Sequence, residues 1–65
     1  MGYIIKTERK ATIIQKIPGA RCVIDRRIYE DELGREFVRV NGDWFDLDWY
    51  DNDNRYEVQR YWVGK

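Results

Sequence analysis

The chain alternates between apolar and polar side chains on both sides of Asn41-Gly42, and Asn-Gly is the favoured pair for a two-residue type I′ hairpin turn. Such a loop sets Val40 opposite Asp43, Val38 opposite Phe45 and Glu36 opposite Leu47. Val38, Val40, Phe45 and Leu47 then share one face, and Phe37, Arg39, Trp44, Asp46 and Asp48 share the other. A slip of one residue mixes the faces, so turn chemistry and hydrophobic pattern predict the same register.

Residues 21–29 alternate too, with Cys22, Ile24, Arg26 and Ile28 on one side and Val23, Asp25, Arg27 and Tyr29 on the other. This predicts a strand with one mainly apolar face. Gly34 ends the polar stretch that follows, at a place where a left-handed turn conformation costs glycine nothing, and a hairpin of 21–29 with 35–40 results. Pro18-Gly19 suits the centre of a type II turn. Before it, Ile4, Ala11, Ile14 and Ile17 fall near helical spacing, but no caps bracket them and the β-branched content is high. A strand at 3–7, a polar turn at 8–10 and a strand at 11–17 are therefore expected. The turn formers of residues 51–54 lead into a last strand at 55–63. Five or six short strands joined by tight turns predict an all-β fold, a small antiparallel meander or barrel of SH3-like or OB-like type. No repeat, linker or low-complexity stretch divides residues 1–65, so one domain is expected.

Length sharpens this picture. A 65-residue chain buries on folding only about 60% of the surface its unfolded form exposes, and domains this small usually need a staple. Cys22 is the one cysteine, so no intrachain disulfide forms, and without histidine a zinc site lacks its usual ligands. The core must rest on large apolar side chains, including three Trp, five Tyr and two Phe, unless the chain associates with itself. No cofactor is expected. The first residues lack the pattern of a signal peptide, Lys6 replaces the Ser or Thr of a myristoylation motif, and no apolar run approaches a membrane span. A reduced, cytoplasmic protein with no membrane partner is the expectation.

The inventory also bears on chemistry. With no Ser and no His, neither a Ser–His nor a Cys–His nucleophilic pair exists within one chain. Carboxylate catalysis needs a cleft that 65 residues rarely build. A non-enzymatic protein is expected.

Twelve Lys and Arg balance twelve Asp and Glu, but unevenly: residues 1–29 carry a surplus of five positive charges and residues 30–65 a surplus of five negative ones. In a meander the basic and acidic strands meet only at their border, which predicts two separate poles.

The acidic half concentrates its aspartates among aromatic rings in residues 43–53. With Phe45, Leu47 and Trp49 pointing inward, Trp44, Asp46, Asp48 and Tyr50 lie outside, joined by Tyr61. Rings beside carboxylates suit a cation or an Arg- and Lys-rich segment of a protein partner. Such carboxylates also mimic a phosphate backbone, in which case the partner is a nucleic-acid-binding protein and the chain its inhibitor. The bland reading of Trp44 is a local cation–π pair with Arg39 across the hairpin. Asp51-Asn52-Asp53-Asn54 begins like a calcium loop, but Arg55, Tyr56 and Trp62 occupy its fifth, sixth and twelfth positions, so that reading fails.

The basic half offers the alternative. Arg21, Arg27 and Tyr29 share a strand face in the manner of a surface that binds single-stranded nucleic acid. Cys22, among isoleucines, is expected to be buried and inert. Tyr56, Val58 and Trp62 against Tyr61 and Val63 make the last strand apolar on both faces near its end, which a partner or a second copy of the chain would cover.

Overall fold

Strand parity from the first hairpin onward organises the structure, a computed structural model that describes residues 3–17 and 23–64. Five strands form one antiparallel sheet: β1 (Ile4–Gln15), β2 (Val23–Asp31), β3 (Glu36–Val40), β4 (Asp43–Asp46) and β5 (Tyr56–Trp62), with a short helix α1 (Leu47–Asp51) between β4 and β5. The spatial order is β4-β3-β2-β1-β5. Four sequential strands thus make the expected meander, and the fifth returns to lie beside the first. Among the described residues no helix is long and apolar enough to cross a membrane. The proposed turn at Pro18-Gly19, Arg21 and the burial of Cys22 lie outside the described residues.

The Asn41-Gly42 hairpin forms in the expected register, with Val40 opposite Asp43 and Val38 opposite Phe45. Both turn residues take positive φ, 53° and 86°, as a type I′ turn requires. Gly34 likewise has φ 79° in the turn between β2 and β3, where the Asp31 carboxylate accepts from the backbone N–H groups of Leu33 and Arg35, each at 2.9 Å.

Residues 8–10 do not turn the chain. One strand runs through them, because four steps along β1 from Lys6 to Lys10 match only two along β2 from Tyr29 to Arg27. Two extra residues keep the alternation of faces intact, so this bulge bends the strand without ending it. Thr7 satisfies the displaced backbone: its hydroxyl donates to the Ile28 carbonyl at 2.6 Å and accepts from the Arg9 N–H at 3.1 Å.

The core lies on one face of the sheet. Ala11 and Ile13 of β1, Ile28 of β2 and Val38 of β3 are buried there, and Leu47 and Tyr50 of α1 close over them. Leu47 and Tyr50 stand three apart, so one helical turn points both inward.

Helix α1 begins where the second strand of the first hairpin was expected to continue. Asp46 is extended (φ −74°, ψ 125°) and its carboxylate accepts from the Asp48 N–H at 3.0 Å, the geometry of an N-cap. The expected pairing of Glu36 with Leu47 is therefore absent, since β4 stops at Asp46. Replacing Asp46 by alanine is expected to cost about 1 kcal/mol, the usual worth of an N-cap. A urea midpoint unchanged from that of the parent protein would refute this role.

The two charge halves meet through Arg9, the one residue of the basic half that forms an ion pair with the acidic half among the described residues. Arg9 of the basic half pairs with Glu30 and, at 2.7 Å, with Glu36. Glu36 also accepts from Arg60 (2.9 Å), which reaches Asp51 at 2.5 Å. This ladder runs through β2, β1, β3, β5 and α1. The strand order places β5 beside β1, so Arg60 and Arg9, distant in sequence, share the Glu36 carboxylate on the core face.

Candidate functional site

The residues expected to form one acidic aromatic surface separate into three places. Trp44 and Tyr61 lie on the face of the sheet that α1 leaves open, but on opposite edge strands, with β3, β2 and β1 between them. Trp44 meets the expected local partner: the Arg39 guanidinium lies 5.1 Å from its ring centroid, and Tyr29 approaches edge-on at 4.9 Å. Tyr61 donates to Asp25 at 2.7 Å. That bond, helped by the Lys10 ammonium 3.1 Å away, holds the Asp25 carboxyl below its ordinary value despite partial desolvation, and it raises the phenol of Tyr61.

Tyr50 is not on the surface. It is only 7% exposed, and burial raises its pKa. The strand alternation that put it outside ends at the Asp46 cap, and helical spacing then turns Tyr50 inward with Leu47 while Trp49 turns outward. Asp46 is engaged as that cap. Asp48 is exposed in the first turn of α1, where a carboxylate favours the helix dipole.

An acidic aromatic surface nevertheless exists, built on different rings. Trp49 is 53% exposed and Phe45 38% exposed, and the two flank Tyr50 with centroid distances of 5.1 and 6.4 Å. Tyr56 packs beneath Trp49 at 5.9 Å. Asp43, two residues before Phe45 on the same side of β4, and Asp48, beside Trp49, form no ion pair among the described residues. Two half-exposed rings on a rigid aromatic base with uncommitted carboxylates at the rim can receive a cationic side chain. The signal for Trp49 was present in the sequence: Asp46 followed by an acidic residue and the Leu47/Tyr50 spacing marks a helix start.

In the connecting loop, Arg55 takes the Asp53 carboxylate at 2.7 Å and holds its pKa down at about 2. Asp51 is bound to Arg60, so both acids of the calcium-like run serve ion pairs. Among the described residues no group of three His, Cys, Asp or Glu side chains is placed to hold a metal ion.

Arg27 and Tyr29 do share the open sheet face, as expected, and the structure adds Phe37, Arg39 and Trp44 to them. Trp62, near the end of the edge strand β5, is 69% exposed. Compared with protein-family models, with curated proteins and with solved structures, the chain gives no significant match.

Proposed function

We propose that this protein is a non-enzymatic binding module that captures a basic segment of a protein partner on the acidic rim of Phe45, Trp49, Asp43 and Asp48. The observation that carries this reading is the half-exposed Trp49 beside Asp48, which forms no ion pair among the described residues. Trp supplies large contact area and a ring face for a guanidinium, and it is enriched among residues that dominate interface energetics. Where the basic segment belongs to a nucleic-acid-binding protein, occupation of the rim would compete with its nucleic acid and inhibit it. The four-strand meander with its fifth strand beside the first supports the SH3-like alternative for the fold. A lone cysteine supports a reduced, cytoplasmic setting.

The test uses a labelled Arg- and Lys-rich dodecapeptide. Trp49→Ala is expected to weaken its binding by about 2 kcal/mol, and Asp48→Lys to abolish it, with far-UV circular dichroism unchanged in both. Trp44→Ala, on the opposite face, is expected to leave it intact. Peptide binding that survives both rim substitutions would remove the proposal. Self-association through Trp62 is the competing use of the exposed rings, and a stable dimer by light scattering that Trp62→Ala dissociates would favour it.

A further inference from the structure

We infer that the open face of the sheet binds single-stranded nucleic acid, stacking bases on Tyr29, Phe37 and Trp44 and holding phosphates with Lys6, Arg27 and Arg39. Register brings the six together from four strands: Lys6 stands opposite Tyr29, Tyr29 opposite Phe37, and Arg39 opposite Trp44. Arg27 lies two residues from Tyr29 on the same face. The inference is independent of the acidic rim, because Phe45 and Trp49 belong to the side of the sheet that α1 covers.

Charge decides which ligand this face suits. Lys10 and Tyr61 hold Asp25 and Arg35 holds Asp31, whereas Asp46 at the α1 N-terminus, Glu57 beside the neutral Gln59 and the exposed Glu8 keep their charge. Arg27 donates to the Thr7 carbonyl (3.2 Å) and Arg39 to the Gly42 carbonyl (3.3 Å), and none of Lys6, Arg27 and Arg39 forms an ion pair among the described residues. Around the rings, Lys6, Arg27 and Arg39 outnumber Glu8 and Asp46, the two acids there that form no ion pair among the described residues. Rings that accept any base face, beside cations that track a backbone, are the two components of single-strand recognition. A duplex hides its base faces and leaves the rings unused.

Fluorescence anisotropy with a labelled deoxythymidine dodecamer at ~50 mM NaCl tests this. Saturable binding is expected, with a slope of log K against log salt of about −2 from three phosphate contacts. Arg27→Gln should flatten that slope by about 0.7, a readout that a merely structural loss would not produce. Trp44→Ala should weaken binding about 5- to 150-fold, the worth of one stacked base. Tyr29→Leu serves the same purpose if the Trp44 variant fails to fold. Asp48→Lys, which disables the rim, should not weaken the oligonucleotide, so failure of one site is distinguishable from failure of the other. Absence of binding at this salt, an unchanged slope in Arg27→Gln, or equal affinity for a duplex or for a dodecamer of glutamate would each overturn the inference.

Discussion

Ile13→Ala is expected to leave most of the protein unfolded at 37 °C. Ile13 is 1% exposed in the C-terminal part of β1, opposite Ile24 on one side and Val58 on the other. It packs in one buried cluster with Ala11, Ile28, Val38, Leu47 and Tyr50. Truncating a buried isoleucine costs about 2 to 5 kcal/mol, from lost transfer energy and the cavity left behind. A domain of this size rarely has more than about 3 to 5 kcal/mol of total stability from its core. The loss is therefore comparable with the whole. Ile13→Val, which removes one methylene, should cost about 0.5 to 1.5 kcal/mol and remain folded. Thermal melts followed by circular dichroism check both, and a cooperative transition for Ile13→Ala near that of the parent protein would show that the core does not depend on β1.

The second large effect concerns Glu36 and acid. Its side chain is 18% exposed and lies between two guanidinium groups, bonded to Arg9 at 2.7 Å and to Arg60 at 2.9 Å. Burial alone pushes its pKa up, but the hydrogen bonds from Arg60 and Arg9 outweigh that and hold it below its ordinary value of 4.5. A carboxyl whose pKa is lower folded than unfolded stabilises the fold fully above the unfolded value. That contribution is lost as pH falls through the depressed folded value. The parent protein is thus expected to lose stability as pH drops below about 4.5. Glu36→Gln should lie about 1 to 3 kcal/mol lower at pH 7, since two partly buried cations lose a charged partner. The gap should narrow in acid, where the parent protein also loses the charge. Urea midpoints for both proteins at neutral and acidic pH measure this, and a gap of the same size at both would refute it.

The residues that made the fold legible are local ones. Asn41-Gly42 carries its own turn geometry, because Asn and Gly tolerate positive φ, and the alternation of Val38 and Val40 sets the register without reference to the rest of the chain. Gly34 is legible for the same reason. The bulge in β1 was not, since a polar stretch between two strands looks alike whether it reverses the chain or only bends it. What separates the two outcomes is Thr7 reaching the Ile28 carbonyl, a bond between residues far apart in sequence.

The candidate sites divide along the same line. Arg27, Tyr29 and the Arg39–Trp44 pair were legible because strand alternation and a short hairpin place them. Tyr50 and Trp49 exchanged sides because a single carboxylate, Asp46, capped a helical turn and changed the period from two to that of a helix. Tyr61 parted from Trp44 because β5 joins the sheet at β1, away from β4.

Alternation, turn chemistry and inventory are properties of neighbouring residues, so they alone specified strands, the meander and the absence of Ser–His or Cys–His chemistry within the chain. Which strand adjoins β1, which charges pair and which rings face outward depend on contacts between segments remote in sequence. Those contacts are decided by burial of one common core. Closing that core with Leu47 and Tyr50 is what turned Trp49 out to the rim and left the opposite sheet face uncovered.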